Sequence, residues 1–234
     1  MLKIYNKFLI YISLAFVLFT IVGTISHEYG HILTAKYLDY DTVLHYGSMN
    51  YLNVESNELK ELYQKNKNEI IKKLDFPDKI YYEQLNEKLK YNSLLISIGG
   101  PLQTMLTSLL GLLILFYRKS KVQINFKLID WLAVFLALFS LRQVSNLLIS
   151  FVKELVKPNG SYFGGDEYWI SKTLEVPEGT FSIILGLISL IIALYVIFKV
   201  IPKKIQYTFI VGGFLGGIVG FVFWMKLIGP TLLP

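Results

Sequence analysis

The apolar residues of this chain fall into five blocks, at roughly 8–26, 93–117, 128–152, 180–199 and 207–228, with polar and charged stretches between them. About 20 mostly apolar residues in a helix cross the hydrocarbon core of a bilayer, so each block is long enough to span. The pattern predicts an all-α polytopic membrane protein of about five transmembrane helices, with a polar, mainly helical insertion over 39–91. Lys3 and Lys7 precede the first block as they would in a secretory signal, yet no small-residue cleavage site follows. Helical periodicity runs on through HEYGHILTAKYL to about residue 38, which predicts a retained first span reaching past the membrane surface. Inside the insertion, VESNELKELYQKNKNEIIKKLDF and DKIYYEQLNEKLKY read as two amphipathic helices. Leu59, Leu62, Ile70, Ile71 and Leu74 supply an apolar face, and DFPD at 75–78 marks the break. The chain thus divides into a first span (1–38), the polar segment (39–91), two spans with a Gly- and Pro-bearing loop (92–179), and two C-terminal spans (180–234).

Composition agrees with the pattern. Of 234 residues, 53% are hydrophobic and 17% charged, against roughly 25% charged in an ordinary soluble domain. Mean hydropathy is +0.49. The absence of cysteine excludes a disulfide scaffold, a thiol enzyme and a cysteine-ligated zinc module. A formal charge of +6 raises the question of nucleic acid, but its placement answers it differently. Lys3 and Lys7, Arg118, Lys119, Lys121 and Lys127, and Lys199, Lys203 and Lys204 lie in three short segments without an acidic residue, whereas 39–91 carries eight Lys against ten Asp and Glu. By the positive-inside rule the N-terminus faces the cytosol and the C-terminus lies outside. The partner implied is the lipid bilayer, with no nucleic acid.

Two of the three histidines stand in His27-Glu28-Tyr29-Gly30-His31. Residues i and i+4 share one helix face, so both imidazoles can reach one metal ion, and Glu28 lies where a carboxylate can take a proton from an activated water. With 3 His and 11 Glu in the chain, chance supplies about 0.002 such matches. Three protein ligands leave a fourth position for water, so a third ligand is expected. The candidates are His45, Glu55, Glu58, Asp166 and Glu167; a His at position 37 would mark a metzincin, but Tyr37 stands there. Asp166 follows two glycines in Ser161-Tyr-Phe-Gly-Gly-Asp166-Glu167, a turn able to bring a carboxylate back toward a helix. His27 and His31 end span one, Gly99-Gly100-Pro101 opens span two, and Asp166 follows span three, so alternating spans put all three at one membrane face.

These motifs, HEYGH at 27–31 and GGPLQTM at 99–105, resemble in type and order those of the site-2 protease family of intramembrane zinc metalloproteases. The resemblance covers about residues 15–170. It implies one Zn2+ per chain held by His27, His31 and Asp166, Glu28 as general base, and hydrolysis of transmembrane or membrane-proximal segments of a membrane protein or peptide. Gly100, Pro101 and Asn146 fall in or near the family's substrate-contacting segments. The chain departs from the pattern in having Thr104 where Asn is usual and Glu167 in place of Gly after the Asp, and in placing Asn146 twenty residues before Asp166. The family also places its site near the cytosolic face, whereas the lysines here place it near the external one. Arg142 lies inside span three one turn from Asn146, positioned to pair with Glu28 or Asp166 or to polarise a substrate carbonyl. In span five, Gly212, Gly213, Gly216, Gly217 and Gly220 permit close helix approach, within the bundle or across a homodimer. Two other readings share these residues: a metal-binding membrane protein without protease activity, and a metal-dependent hydrolase of lipids or small molecules.

Overall fold

In a computed structural model the chain is described over residues 3–124, 126–158 and 162–234, with the side chains of 119–124 outside the description. Among the described residues, five helices are long and apolar enough to cross a membrane: Asn6–Tyr37, Lys79–Arg118, Leu128–Val156, Thr180–Val200 and Gln206–Leu232. The chain is mostly helical, and these five are compatible with a multi-pass integral membrane protein.

Helix α1 (Asn6–Tyr37) has no proline to interrupt it. At 1.5 Å per residue its 32 residues extend about 48 Å, more than the roughly 30 Å hydrocarbon core. Thr20, Thr24 and Thr34 return their hydroxyls to the carbonyl four residues back, which satisfies them inside the helix. A short antiparallel hairpin follows, β1 (Thr42–Leu44) on β2 (Met49–Tyr51), paired Thr42 to Tyr51 and Leu44 to Met49. Its turn is tied to the end of the chain: Tyr46 N–H donates to Leu233 O at 2.9 Å, and Trp224 Nε1–H to Tyr46 O at 2.6 Å. Helices α2 (Val54–Lys65) and α3 (Lys67–Ile71) complete the connection to α4 (Lys79–Ile124).

The 39–91 segment is therefore not wholly helical, because it begins with the hairpin. The amphipathic stretch expected from residue 79 is not separate either. It is the outer part of α4, a single 46-residue helix, so the boundary at 91/92 falls inside an element. A helix backbone is indifferent to the change from polar to apolar side chains, and no breaker stands between Lys79 and Gly99. At its other end α4 continues to Ile124 through most of the segment read as a loop. There Arg118 grips the buried Asp130 with two bonds, Nε to Oδ1 at 2.5 Å and Nη2 to Oδ2 at 3.2 Å. Asp130 also accepts from Lys127 N–H and so caps the next helix.

Span three is interrupted. Helix α5 (Leu128–Ala137) gives way to a 3-10 turn at Leu138–Ser140 before α6 (Leu141–Val156). Ser108 of α4 supports the turn, donating to Ala137 O at 2.5 Å and meeting Ser140 Oγ at 3.0 Å. Below the turn, α5 runs beside α1 through aromatic pairs: Trp131 with Phe8, Phe135 with Phe16 and Phe19, and Phe139 with Phe19. Above it, α6 packs on α8 (Thr180–Tyr195), where a side chain on Gly186 would strike Leu147. Between them lies α7 (Asp166–Thr173), packed on α4 and α8.

Helix α9 (Gln206–Val222) lies along α1 in parallel, residue 212 meeting 12, 216 meeting 13 and 16, and 220 meeting 17 and 20. A Cβ at Gly212, Gly216 or Gly220 would lie within 3 Å of α1 atoms, so these glycines serve packing inside the bundle. Gly217 faces away from that contact. The last two spans each end in a π-helical turn, Val196–Val200 and Phe223–Ile228, the second leading to α10 (Gly229–Leu232). The apolar core of Ile12, Phe16, Phe135, Leu138, Val196 and Phe209 fills the end of the bundle nearer the N-terminus. The buried His27, Glu28, His31 and Glu167 lie toward the other end.

Candidate metal centre

Helix α1 carries His27, Glu28 and His31 on successive turns, all three nearly inaccessible to solvent. Their face meets α4 where two glycines let the backbones touch. A Cβ on Gly99 would lie 2.5 Å from Gly30 O and 2.6 Å from Thr34 Oγ1, and one on Gly30 would be 2.8 Å from Gln103 Cβ. The crossing brings Gly100 against both imidazoles. A Cβ there would stand 2.5 Å from His27 Nε2 and closer still to His31 Nε2. With no side chain at position 100, the α4 backbone comes directly against the two nitrogens.

Asp166 closes the site from α7. Its Oδ2 is 2.9 Å from His27 Nε2 and 3.4 Å from His31 Nε2, and the two Nε2 atoms are 3.3 Å apart. Among the described residues, these three form the one His, Cys, Asp or Glu group whose ligand atoms converge enough to hold a metal ion. The spacing can be tested. Ligands bound tetrahedrally at about 2.0–2.1 Å stand about 3.3–3.4 Å from one another; the His27–His31 and His31–Asp166 edges have that length, and the His27–Asp166 edge, at 2.9 Å, is shorter.

The outer nitrogens explain why the inner ones face inward. His31 Nδ1 lies 2.6 Å from Ile96 O, a pure acceptor, so Nδ1 carries the proton and Nε2 keeps its lone pair when the ring is neutral. Gly100 N–H also approaches that Nδ1 at 3.3 Å, but the shorter contact to a carbonyl decides the tautomer. His27 Nδ1 meets the buried Thr104 hydroxyl at 2.9 Å. Such partners orient a metal-ligating ring and fix its tautomer. The converging donors fit a small cation: one proton satisfies a single edge of the triangle, whereas an ion satisfies all three.

Helix α7 begins after Gly165, whose φ of 76° and ψ of −165° are open to glycine alone. Burial opposes ionisation of Asp166, but the hydrogen bonds to His27 and His31 outweigh it and hold the carboxyl well below the usual carboxylate range. The neighbouring Glu167 is buried too, and burial pushes its carboxyl above the usual value. It is not part of the three-ligand group.

The remaining sequence candidates are placed as follows. Arg142 Nη1 reaches Glu28 Oε1 at 3.8 Å. Asn146 is half-buried one turn further along α6, and no side-chain hydrogen bond joins it to the ligands among the described residues. Pro101 is buried directly after Gly100, and its missing N–H leaves Ser97 O without the usual helical donor. His45 bonds Pro234 O and Asn50 at the hairpin turn, Glu55 pairs with Lys88, and Glu58 accepts from Tyr81; none of these reaches the site. Ser161 lies outside the described residues. Sequence reasoning saw Thr104 only as a departure from a motif, and the Ile96 carbonyl carries no side-chain signal by which it could have been found. Neither a family model, nor a curated protein, nor a solved structure matches this chain.

Proposed function

We propose that this protein is a membrane-embedded zinc metalloprotease that hydrolyses peptide bonds in transmembrane or membrane-proximal segments of its substrates. The observation that carries the reading is the convergence of His27, His31 and Asp166 with Glu28 on the same helical turns. The resemblance of HEYGH and GGPLQTM to site-2 protease motifs supports it from the sequence side. Two imidazoles and a carboxylate suit zinc, and three protein ligands leave a position open, as catalytic rather than structural zinc sites do.

Bound there, zinc supplies a Lewis acid that polarises a carbonyl and brings the pKa of a water toward 7. The chain's own groups do the rest. Thr104 and Ile96 O hold the two rings with Nε2 inward, and Asp166 fixes α7 against α1. Glu28 accepts the proton of the attacking water at its carboxylate and delivers it to the leaving amine nitrogen. Gly100, without a side chain, lets α4 pack directly against the two rings.

The test is metal content and cleavage in the detergent-purified full chain. Wild type holds about one zinc, His31→Ala and Asp166→Ala lose it, and Glu28→Gln keeps it while losing cleavage of fluorescein-labelled casein. A wild type that holds zinc and cleaves neither casein nor a transmembrane peptide is a metal-binding protein without protease activity, and the proposal falls. Release of fatty acid from phospholipid vesicles in place of peptide cleavage moves the reading to a lipid hydrolase.

A further inference from the structure

Glu28 is the one member of the site with nothing hydrogen-bonded to its carboxylate among the described residues, although its side chain is only 6% exposed. A buried Glu side chain that is free to turn forfeits little rotamer entropy, and one held for proton transfer must be ordered by some partner. The group that reaches it is Arg142. Its position follows from the register of span three on α1. The two run parallel, Trp131 beside Phe8, Phe135 beside Phe16 and Phe19, and Phe139 beside Phe19 and Gly23. Continued for one turn, that register sets residue 142 level with about residues 22–26, so the long arginine side chain reaches along α1 to meet Glu28. The 3-10 turn at Leu138–Ser140 then carries α6 away to α8, so Arg142 stands where span three leaves α1 and its guanidinium reaches back across the gap. An arginine inside an apolar span is costly unless it is used.

We propose that Arg142 is the positioning residue for Glu28, holding its carboxylate on the α6 side of α1 where it can exchange a proton at the three-ligand site. The inference rests on the protease reading. The contact is single and 3.8 Å long, so Arg142 directs the carboxylate while leaving its oxygens able to accept a proton. A bidentate clamp would occupy both oxygens.

The experiment compares Arg142→Ala and Arg142→Lys with wild type in the full chain in one detergent. Three readouts are taken: zinc content, kcat and KM on fluorescein-labelled casein, and the Tm of the metal-stripped protein in a double-variant cycle with Glu28→Gln. Arg142→Ala is expected to keep its zinc and to lose kcat by about 10–100-fold, the usual effect of removing such a supporting partner, with KM within about twofold. Arg142→Lys regains part of the loss. In the cycle, Arg142→Ala shifts Tm in the wild-type background and much less in the Glu28→Gln background. A kcat for Arg142→Ala within twofold of wild type overturns the proposal, as do additive Tm shifts. If zinc is lost with Arg142→Ala, the residue is a structural support and the proposal also falls. A wild type that binds zinc without cleaving casein brings down the protease reading instead, and then the cycle alone reports whether the two side chains are coupled.

Discussion

Span three takes part in two arginine–carboxylate pairs, one at its start and one at its middle, and the two are built differently. At Arg118–Asp130 the guanidinium makes two bonds, of 2.5 and 3.2 Å, to a carboxylate with no solvent exposure, which also caps α5 through Lys127 N–H. Three hydrogen bonds hold that carboxylate, so the pair fastens the connection between α4 and α5. At Arg142–Glu28 there is one contact of 3.8 Å and no hydrogen bond, and the arginine side chain is 36% exposed. A carboxylate held in this way keeps the freedom to gain and lose a proton. The first arrangement suits a joint and the second a reacting group, although the residue types are the same.

The comparison can be broken most forcefully at Glu28. Glu28→Gln should reduce peptide cleavage about 10³-fold, close to 4 kcal/mol of transition-state stabilisation. The Tm of the metal-free protein should stay level or rise, since a buried charge with weak compensation is removed. A fall in Tm with cleavage intact would assign Glu28 to the scaffold. Asp130→Ala should do the opposite. Leaving Arg118 without its partner costs about 3 kcal/mol, the low end for a broken buried pair because Arg118 is 22% exposed. Equilibrium unfolding in a fixed detergent measures that loss, and the surviving folded protein should cleave with wild-type kcat. Gly100→Ala is the next smaller effect. A methyl there, 2.5 Å from His27 Nε2 unless the rings shift, should weaken zinc binding by about 10–100-fold in competition with a chelator, comparable to losing a supporting partner, while helix propensity itself favours Ala. Unchanged zinc affinity would mean that the ion does not use that space.

The smallest effect belongs to Glu167, whose carboxyl burial raises from 4.5. The fold thus favours its protonated form, and its contribution is lost as pH rises from 4.5 through the higher folded-state value. Glu167→Gln should match wild type in Tm below that window and exceed it above. Coincident Tm profiles across the range would show that Glu167 ionises without penalty.

Much of this arrangement was legible in the sequence wherever the signal is local. Each of the five apolar blocks falls within one of the five long helices, because a run of about 20 apolar residues is written into composition. His27, Glu28 and His31 were recognisable because the i, i+4 spacing encodes their common face. Asp166 is different: the sequence offered five third-ligand candidates, and only a tertiary contact 139 residues away separates it from the others. The hairpin at 42–51 was missed because two three-residue strands carry too little alternation to register. The 3-10 turn at Leu138–Ser140 was missed because it contains neither glycine nor proline. Its cause lies on α4, in the Ser108 hydroxyl that takes Ala137 O.

The contact of Gly30 with Gly99 brings the backbones of α1 and α4 together beside His31. The histidine half of the site is accordingly a by-product of helix docking: once the two backbones meet, His31 has found Ile96 O and Gly100 has reached the imidazoles. On the metal-site reading proposed above, uptake would be an exchange reaction at an already folded site. Chelators should strip the ion and later additions restore it in the same preparation, without a cycle of unfolding and refolding.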